Sequence, residues 1–467
     1  MKRKIVLYNP KTVFYTMPLG LMAVASCLDR ERYEIRIIDG RLEDDPVSRV
    51  LQELDGALCL GVSVLTGAPI GDALKVLRAA KSRYPGVTTV CGGWHPSLFP
   101  TDMLEEPSID ITVRGQGEAT FTELVAQLER EESLASVCGI AYRDQGVVKS
   151  NPERPMMPME VFPAVDYQLI DVEQYFQLKG VRQLDYISST GCLFRCAFCA
   201  DPFVYKRGWQ ALGPDRMASE IEALWQRYKF TDLNFQDETF FTYKKRVAEV
   251  AEEFLRRELP ITWAATMRAD QGVRLGDDIF RLCTRSGMRR VLIGVESGSP
   301  EILKRIKKDT TIEQIIMSAE MCAQHGVAVI FSFITGFPDE TYDDVMQTVS
   351  LIKKLRAMSP NFETPVFYYK PYPGSAISSE LSAEMPQSLD DWANFDFVQG
   401  AAGPWVPPET FQFMERFKFY NRYAWGSKRM IRRPLQLLSR WRCRRNWFDF
   451  PFEKAIVQRL RPEAELS

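Results

Sequence analysis

Ser189-Thr190-Gly191-Cys192-Leu193-Phe194-Arg195-Cys196-Ala197-Phe198-Cys199 sets three cysteines at CxxxCxxC spacing. On a loop, this spacing brings three thiolates to one side, where they can hold three irons of a four-iron, four-sulfur cluster and leave the fourth open to a substrate or cofactor. A zinc knuckle is the competing reading of such cysteines. Structural zinc takes four protein ligands, however, and neither a fourth Cys nor a His follows nearby. An open-site cluster is the expectation.

The chain around this motif has 467 residues, more than one ordinary core accommodates, so two or three domains are expected. Hydrophobic content of 45%, charged content of 26% and a net charge of -2 exclude general disorder and a generally basic nucleic-acid binder. No apolar run reaches the ~18 residues of a membrane span. The start, Met1-Lys2-Arg3-Lys4-Ile5-Val6-Leu7-Tyr8-Asn9-Pro10, is basic, but its apolar segment is too short for a signal-peptide core and reads as a first strand. A cytoplasmic protein is expected. The other cysteines, at 27, 59, 91, 138, 283, 322 and 443, lack framework spacing and read as buried thiols.

Ahead of the motif, short apolar runs at Lys4 to Tyr8, Tyr33 to Asp39, Ala57 to Val64, Val87 to Cys91 and Ile109 to Val113 alternate with helical patterns. This rhythm predicts a flavodoxin-like, doubly wound α/β domain over residues 1–135. Ligands of such sheets sit outside the carboxyl ends of the strands, which directs attention to Asn9-Pro10, Asp39-Gly40, Ser63 to Gly67, Gly92 to Ser97 and Arg114 to Glu118. Glycines there let backbone approach a bulky ligand, and Gly117-Glu118 opens a helix. His95 reads either as a cofactor neighbour or as a loop His bonded to backbone, whereas His325 reads as structural at a helix end. Residues 136–183 are expected to be a hairpin, from Val137 onward, followed by a linker broken by Pro152, Pro155, Pro158 and Pro163.

From Asp185 the alternation returns, with strands near Asp185 to Ser189, Thr231 to Gln236, Ile261 to Met267, Arg290 to Val295, Val327 to Ile334 and Thr364 to Tyr369. Six strand-helix units over residues 184–380 suit a parallel barrel, whose chemistry collects at the carboxyl strand ends. The cysteines fall on its first loop. The later ends carry Gln236-Asp237-Glu238, Arg268, Gly294 to Ser299, Ile334 to Thr341 and Tyr368 to Ser375. Taken singly, Glu238 and Glu296 also read as helix-start acids, and Thr341-x-x-Asp344 reads as a capping box. Residues 381–467 read as helical and basic, with eleven Lys or Arg and no Asp or Glu between Arg416 and Arg445. This is a helical cap with a solvated basic face, a surface for anionic membrane or an anionic substrate, or, less in keeping with the absence of any recognisable module, a nucleic-acid site.

With Phe198 just before its third cysteine, the motif resembles that of the radical S-adenosylmethionine (SAM) superfamily. The segments Gly92-Gly93-Trp94-His95-Pro96 and Gly115-Gln116-Gly117-Glu118 resemble the cobalamin-binding domain of its cobalamin-dependent members, and Tyr372-Pro373-Gly374-Ser375 resembles another segment of that group. The resemblance runs from residue 1 to about 375. It implies an N-terminal Rossmann-like cobalamin-binding domain, a partial (β/α)6 radical SAM barrel and a mainly helical C-terminal extension. It also implies a [4Fe-4S] cluster on Cys192, Cys196 and Cys199, and SAM held by Phe198, Gln236, Glu238, Arg268, Glu296, Ser297 and Gly336. Cobalamin would be held by Asp39, Ser63, Gly92, Gly93, His95, Gly117 and Glu118. One departure stands out: the DxHxxG of cobalamin methyltransferases and mutases is here Asp39-Gly40-Arg41-Leu42-Glu43-Asp44, so no His is offered to cobalt.

The activity implied is C-methylation of an unactivated carbon, initiated by a 5′-deoxyadenosyl radical and completed from methylcobalamin, with catalytic acid and base residues unassigned. Expected partners are a small-molecule substrate and a reductant such as flavodoxin or ferredoxin, with peripheral membrane contact through the basic region and no nucleic acid. The rival branch resembles the anaerobic oxidative cyclases of tetrapyrroles. A methylthiotransferase and a non-catalytic cobalamin sensor are further alternatives. The first is disfavoured by Cys27 in a helix, Cys59 in a strand and the lack of a β-rich RNA-binding module.

Overall fold

Residues 2–395, 402–425 and 433–460 are described by the structure, a computed structural model. The chain folds as two units, Met1–Glu238 with Tyr372–Asp396, and Thr239–Pro371 with Phe397–Ser467.

In the first unit, β1 (Arg3–Asn9), β2 (Tyr33–Asp39), β3 (Ala57–Ser63), β4 (Thr88–Gly92) and β5 (Ile111–Val113) form a parallel sheet in the order β2-β1-β3-β4-β5. This is the flavodoxin-like order expected. Side chains alternate between the two faces. Val6, Tyr8, Leu60 and Val62 pack with Ile70, Leu74 and Leu77 of the helix Ala68–Arg83, whereas Ile5, Leu7 and Cys59 pack with Phe121, Leu124 and Val125 of Gly117–Arg130. The hairpin assigned to the linker instead extends this sheet, because β6 (Ile140–Asp144) pairs antiparallel with β5 and buries Ile140, Ala141 and Tyr142. The last strand, β7 (Val147–Ser150), is exposed along its length and closes the edge. Leu389–Ala393, expected with the C-terminal region, also joins this unit, burying Trp392 beside the Ala68–Arg83 helix.

Four further strands belong to the first unit. β8 (Gln183–Tyr186) pairs parallel with β11 (Asp232–Phe235), and β9 (Ser189–Gly191) pairs antiparallel with β10 (Trp209–Ala211). The β9–β10 ladder, absent from the sequence reading, brackets the cysteine loop.

In the second unit, β12 (Thr262–Met267), β13 (Met288–Glu296) and β14 (Ala328–Thr335) are parallel neighbours. The single strand expected at Thr364 to Tyr369 is replaced by β15 (Phe362–Glu363) and β16 (Val366–Tyr368), both paired with β14. Pro365 falls between them and has no N–H to offer a ladder. The helices Lys244–Arg256, Ala269–Arg285, Ile312–Gln324 and Tyr342–Met358 follow the strand alternation. Capping boxes at Thr311/Gln314 and Thr341/Asp344 begin the last two. His325 caps its helix and meets Asp277 at 2.8 Å, a structural role. Of the basic C-terminal region, the helices Pro408–Ala424, Arg433–Arg445 and Phe452–Leu460 and the segments 402–407 and 446–451 are described; residues 396–401, 426–432 and 461–467 lie outside the described residues. Among the described residues, no helix is long and apolar enough to cross a membrane.

Candidate functional site

A single carboxylate fixes the approach to the cysteine loop. Asp237, just after β11, accepts from the backbone N–H and hydroxyl of Ser188 (2.7 and 2.6 Å) and from the Ser189 hydroxyl (2.6 Å). Its neighbour Glu238 accepts from the Gly191 N–H at 3.0 Å. Gly191 has φ +88°, and a Cβ there would lie 2.3 Å from the Gly208 carbonyl oxygen, so glycine lets the two arms of the loop touch. Within the loop the Cys199 N–H donates to the Cys196 carbonyl at 3.3 Å. The Ala197 carbonyl accepts from Ile377 at 3.0 Å.

Burial pushes the Cys199 thiol well above its ordinary pKa, and Asp201, Cys196 and Cys192 add like-charge repulsion. The Cys199 thiol thus feels the charge of both other cysteines of the motif. No group of three or more His, Cys, Asp or Glu among the described residues is arranged to hold a single metal ion. The ligands of an iron–sulfur cluster bind separate irons and stand further apart, so three convergent thiols on a glycine-held loop fit that group. Phe198 is half-buried.

The cobalamin-side loops meet this loop within the same unit. Burial raises Tyr205 well above its ordinary pKa, and the charges of Glu238, Asp201 and Glu118 add to the rise. Burial raises all three acids: Glu238 to about 8, Asp201 to about 6, and Glu118 in the same direction. Trp94 meets Tyr205 edge-on at 5.7 Å, and a Cβ on Gly374 would lie 2.6 Å from Leu98 and 3.6 Å from Phe203.

The other cobalamin-side residues divide by environment. Gly93 has φ +101° and packs against Val64 backbone and the Ser63 hydroxyl, where a Cβ would find atoms at 3.1 to 3.3 Å. Gly92 holds the same strand end, its carbonyl accepting from Val64 at 2.7 Å, and Gly117 lies 3.1 Å, measured from its would-be Cβ, from Val24. Asp39 is committed to protein partners. It forms a buried ion pair with Arg41 and accepts from the Tyr175 hydroxyl at 2.5 Å and from Asn9 at 3.2 Å. Arg41 also donates to the carbonyls of Phe14 and Thr16, which ties down the loop after β1. His95 is fully buried between Phe99 and Trp392, with Nδ1 3.2 Å from the Thr66 hydroxyl, and burial lowers its pKa to about 4. Its Nε2 has no hydrogen-bond partner. A neutral imidazole enclosed by two aromatic rings is a core residue in this arrangement. Glycines at these strand ends, together with the lack of a His in the Asp39 to Asp44 loop, fit a cobalamin held by shape and hydrogen bonds.

Of the residues expected to hold SAM, Phe198, Gln236 and Glu238 belong to the first unit. The Gln236 amide donates to Asp185 at 3.2 Å, and Asp185 also pairs with Lys179 at 2.5 Å and accepts from the Met17 N–H at 2.9 Å. The second unit brings Arg268 and Glu296 together through Lys308, which sequence reasoning missed. Arg268 donates to the Lys308 carbonyl at 2.6 Å, and Lys308 Nζ lies 2.7 Å from Glu296. Glu296 is buried at φ +67°, and a Cβ on Gly294 would sit 2.3 Å from its carboxylate. Ser297 bonds Thr348 at 3.2 Å and receives the Ser299 N–H at 3.1 Å. Gly336, at φ +78°, accepts from the Trp405 indole at 2.8 Å and donates to Glu340. Lys308 and Trp405 lie outside any strand-end pattern, so only the folded chain connects them with these loops.

Similarity to known proteins agrees with this arrangement. The radical SAM superfamily model matches residues 186–352 and the B12 binding domain model residues 6–125. The chain is 32% identical over 77% of its length to an uncharacterized methyltransferase of Pyrococcus horikoshii, covering 77% of that protein. It is 30% identical over 84% of its length to the anaerobic magnesium-protoporphyrin IX monomethyl ester cyclase of Synechocystis, covering 78% of it. The solved structure of the cobalamin-dependent SAM radical enzyme OxsB with aqua-cobalamin and SAM bound shares its fold at TM-score 0.73 and 19% identity, over 99% of this chain and 73% of that one. The chain belongs to the cobalamin-dependent branch of the radical SAM superfamily. It is an enzyme, and its cofactors are a [4Fe-4S] cluster, SAM and cobalamin.

Proposed function

We propose that the enzyme is a C-methyltransferase acting on an unactivated carbon of a small-molecule substrate. The observation that carries this reading is the edge-on contact at 5.7 Å between Trp94, on the cobalamin-side strand end, and Tyr205, just past the cysteine loop. Two cofactor loops meeting at one locus suit a reaction in which hydrogen removal and methyl delivery act on the same carbon. The similarity to the Pyrococcus methyltransferase supports it further.

When bound, the cluster and SAM supply a radical that removes hydrogen, and cobalamin supplies the methyl group. The chain's own residues bind, orient and exclude water. Within the first unit, Cys192, Cys196 and Cys199 would hold the cluster, and Phe198, Gln236 and Glu238 would border SAM. Ser63, Gly92, Gly93, Gly117 and Glu118 would line cobalamin. Asp39 and His95 would act from behind that face, Asp39 by holding Arg41 and the loop after β1. A reducing protein such as a flavodoxin or ferredoxin is the electron source in this reading, and the basic C-terminal region makes peripheral membrane contact.

Similarity to the cyclase supports a second reading, oxidative cyclisation of a tetrapyrrole. Anaerobic purification with cobalamin, followed by mass spectrometry, distinguishes the two. Methylation is expected to yield both 5′-deoxyadenosine and S-adenosylhomocysteine, and deoxyadenosine alone would turn the assignment to the cyclase branch. Iron near eight per chain, rather than about four, would point instead to a methylthiotransferase.

A further inference from the structure

The helix Pro408–Ala424 lies along β16. Near its start Phe411 meets Tyr368, at the carboxyl end of β16, at 5.1 Å, and Tyr368 donates to Glu415 at 3.0 Å. Near its end Asn421 donates to Thr364 at 2.9 Å, and Trp425 offers its carbonyl to Arg356 at 2.6 Å. The chain is there back at the amino ends of the strands, where the turn after Tyr342–Met358 leads into β15. Chemistry in parallel barrels collects at the other end.

At this amino end Arg356, Ser359, Trp425, Arg440 and Arg444 line a cavity of about 330 Å³, with no acid among its lining residues. Arg356 is 6% exposed; it donates to the carbonyls of Phe362 and Trp425, and its Nε has no hydrogen-bond partner. Burial depresses its pKa, with only Glu363 pulling it back. Arg440 donates to the Ala424 carbonyl at 2.6 Å, and no carboxylate pairs with Arg440 or Arg444 among the described residues. Three guanidiniums around one hollow repel one another unless an anion sits between them, and a fork of N–H donors suits phosphate oxygens.

The surface beside the cavity is apolar as well as basic. The helix Arg433–Arg445 buries Ser439, Arg442 and Cys443 and turns the opposite face to solvent. On a 3.6-residue period, Leu437, 66% exposed, and Trp441 occupy the middle of that face, flanked by Arg433, Arg440 and Arg444 on one side and Arg445 on the other. Phe450 and Phe452, which follow it, are exposed and stacked at 6.3 Å. Apolar residues ringed by arginines, with no acid on the helix, match the headgroup boundary of an anionic bilayer. Soluble anions leave such aromatics without a partner.

We propose that this end of the second unit docks on an anionic phospholipid surface, seating a lipid phosphate among Arg356, Arg440 and Arg444 while Leu437, Trp441, Phe450 and Phe452 enter the headgroup boundary. This deepens the membrane contact proposed above. It rests on the second unit alone and stands or falls independently of methyl transfer.

The test is co-sedimentation of the full chain with vesicles of phosphatidylcholine alone or mixed with phosphatidylglycerol. Binding is expected only to the anionic vesicles, weakened about fivefold by each of Arg440→Gln and Arg444→Gln. Trp441→Ser should abolish the fraction that survives high salt. All three side chains are exposed, so unchanged melting temperatures serve as the folding control, and Arg130→Gln on the first unit should bind as wild type. Equal binding to neutral vesicles, or equal loss in Arg130→Gln, would overturn the arginine cavity. Calorimetry with inorganic phosphate and binding to polyuridylate supply the other arms. Phosphate or polyuridylate binding sensitive to Arg440→Gln without any vesicle binding would reassign the site to a soluble anion or to RNA and overturn membrane docking.

Discussion

Lys308 and Glu296 are each about 7% exposed at the side chain and are held 2.7 Å apart. Breaking a buried pair from one side leaves the other charge without compensation, which costs more than the pair itself contributes. Lys308→Met should therefore destabilise the second unit by about 3 kcal/mol in denaturant unfolding. A loss within experimental error would mean that water already reaches the pair. Glu340 offers a pH-dependent counterpart. Burial pushes its carboxyl up to about 7 against hydrogen bonds from Gly336 and Thr335, and Asp344 adds to the rise. The folded chain thus holds this proton more tightly than the unfolded chain, where a Glu titrates near ~4.3. Its stabilisation is complete below about pH 4.3, and is lost as pH rises through about 7. Glu340→Gln should flatten the stability profile across that window by on the order of 3 kcal/mol. A mutant profile as steep as wild type would assign the slope to other groups.

At the scale of elements, the cysteine loop is a short ladder, β9 with β10, hung from one carboxylate. Its sulfurs are legible from spacing; its support is not. Asp237 sits in an acidic strand end beside Glu238, and nothing in the sequence distinguishes the residue that holds Ser188 and Ser189 from the one that meets Gly191. Replacing any of Cys192, Cys196 or Cys199 with Ala is expected to abolish SAM cleavage, since in the proposed assignment each thiolate would hold a separate iron. Asp237→Ala is expected to act differently. It removes the Asp237 acceptor from three buried donors, so the loop should loosen and iron content fall. Asp237→Asn, which keeps acceptor capacity, should retain more iron than Asp237→Ala. Equal iron in wild type and both variants would remove Asp237 from the account.

Across the whole molecule, what the sequence made legible follows from periodicity. Strands such as Ala57–Ser63 and Ala328–Thr335 are mainly apolar runs, so their carboxyl ends could be located from the sequence. Side-chain commitments were not legible, because they depend on partners distant in sequence. Asp39 reads as a strand-end acid until Tyr175 and Arg41 are seen on it, and His95 reads as a loop residue until Trp392 closes over it. The same distinction predicts how the two resident cofactors respond to mutation. Gly93 packs at φ +101° against Val64 and Ser63, whereas the cysteine loop is bracketed by the β9–β10 ladder. Gly93→Ala forces a side chain into a left-handed backbone already at contact distance, which should push the loop into the space of a ligand pressed against it. Cobalt bound per chain should fall severalfold while iron per chain stays at the wild-type value. The melting-temperature rise produced by added cobalamin, a mass-action effect of about 2.7 kcal/mol at a hundred times Kd, should shrink with it. Parallel loss of both metals would mean that the mutation unfolds the first unit as a whole. Unchanged cobalt would mean that this strand end does not meet the cofactor, and the cobalamin contacts would then have to be sought at Gly117 and Glu118.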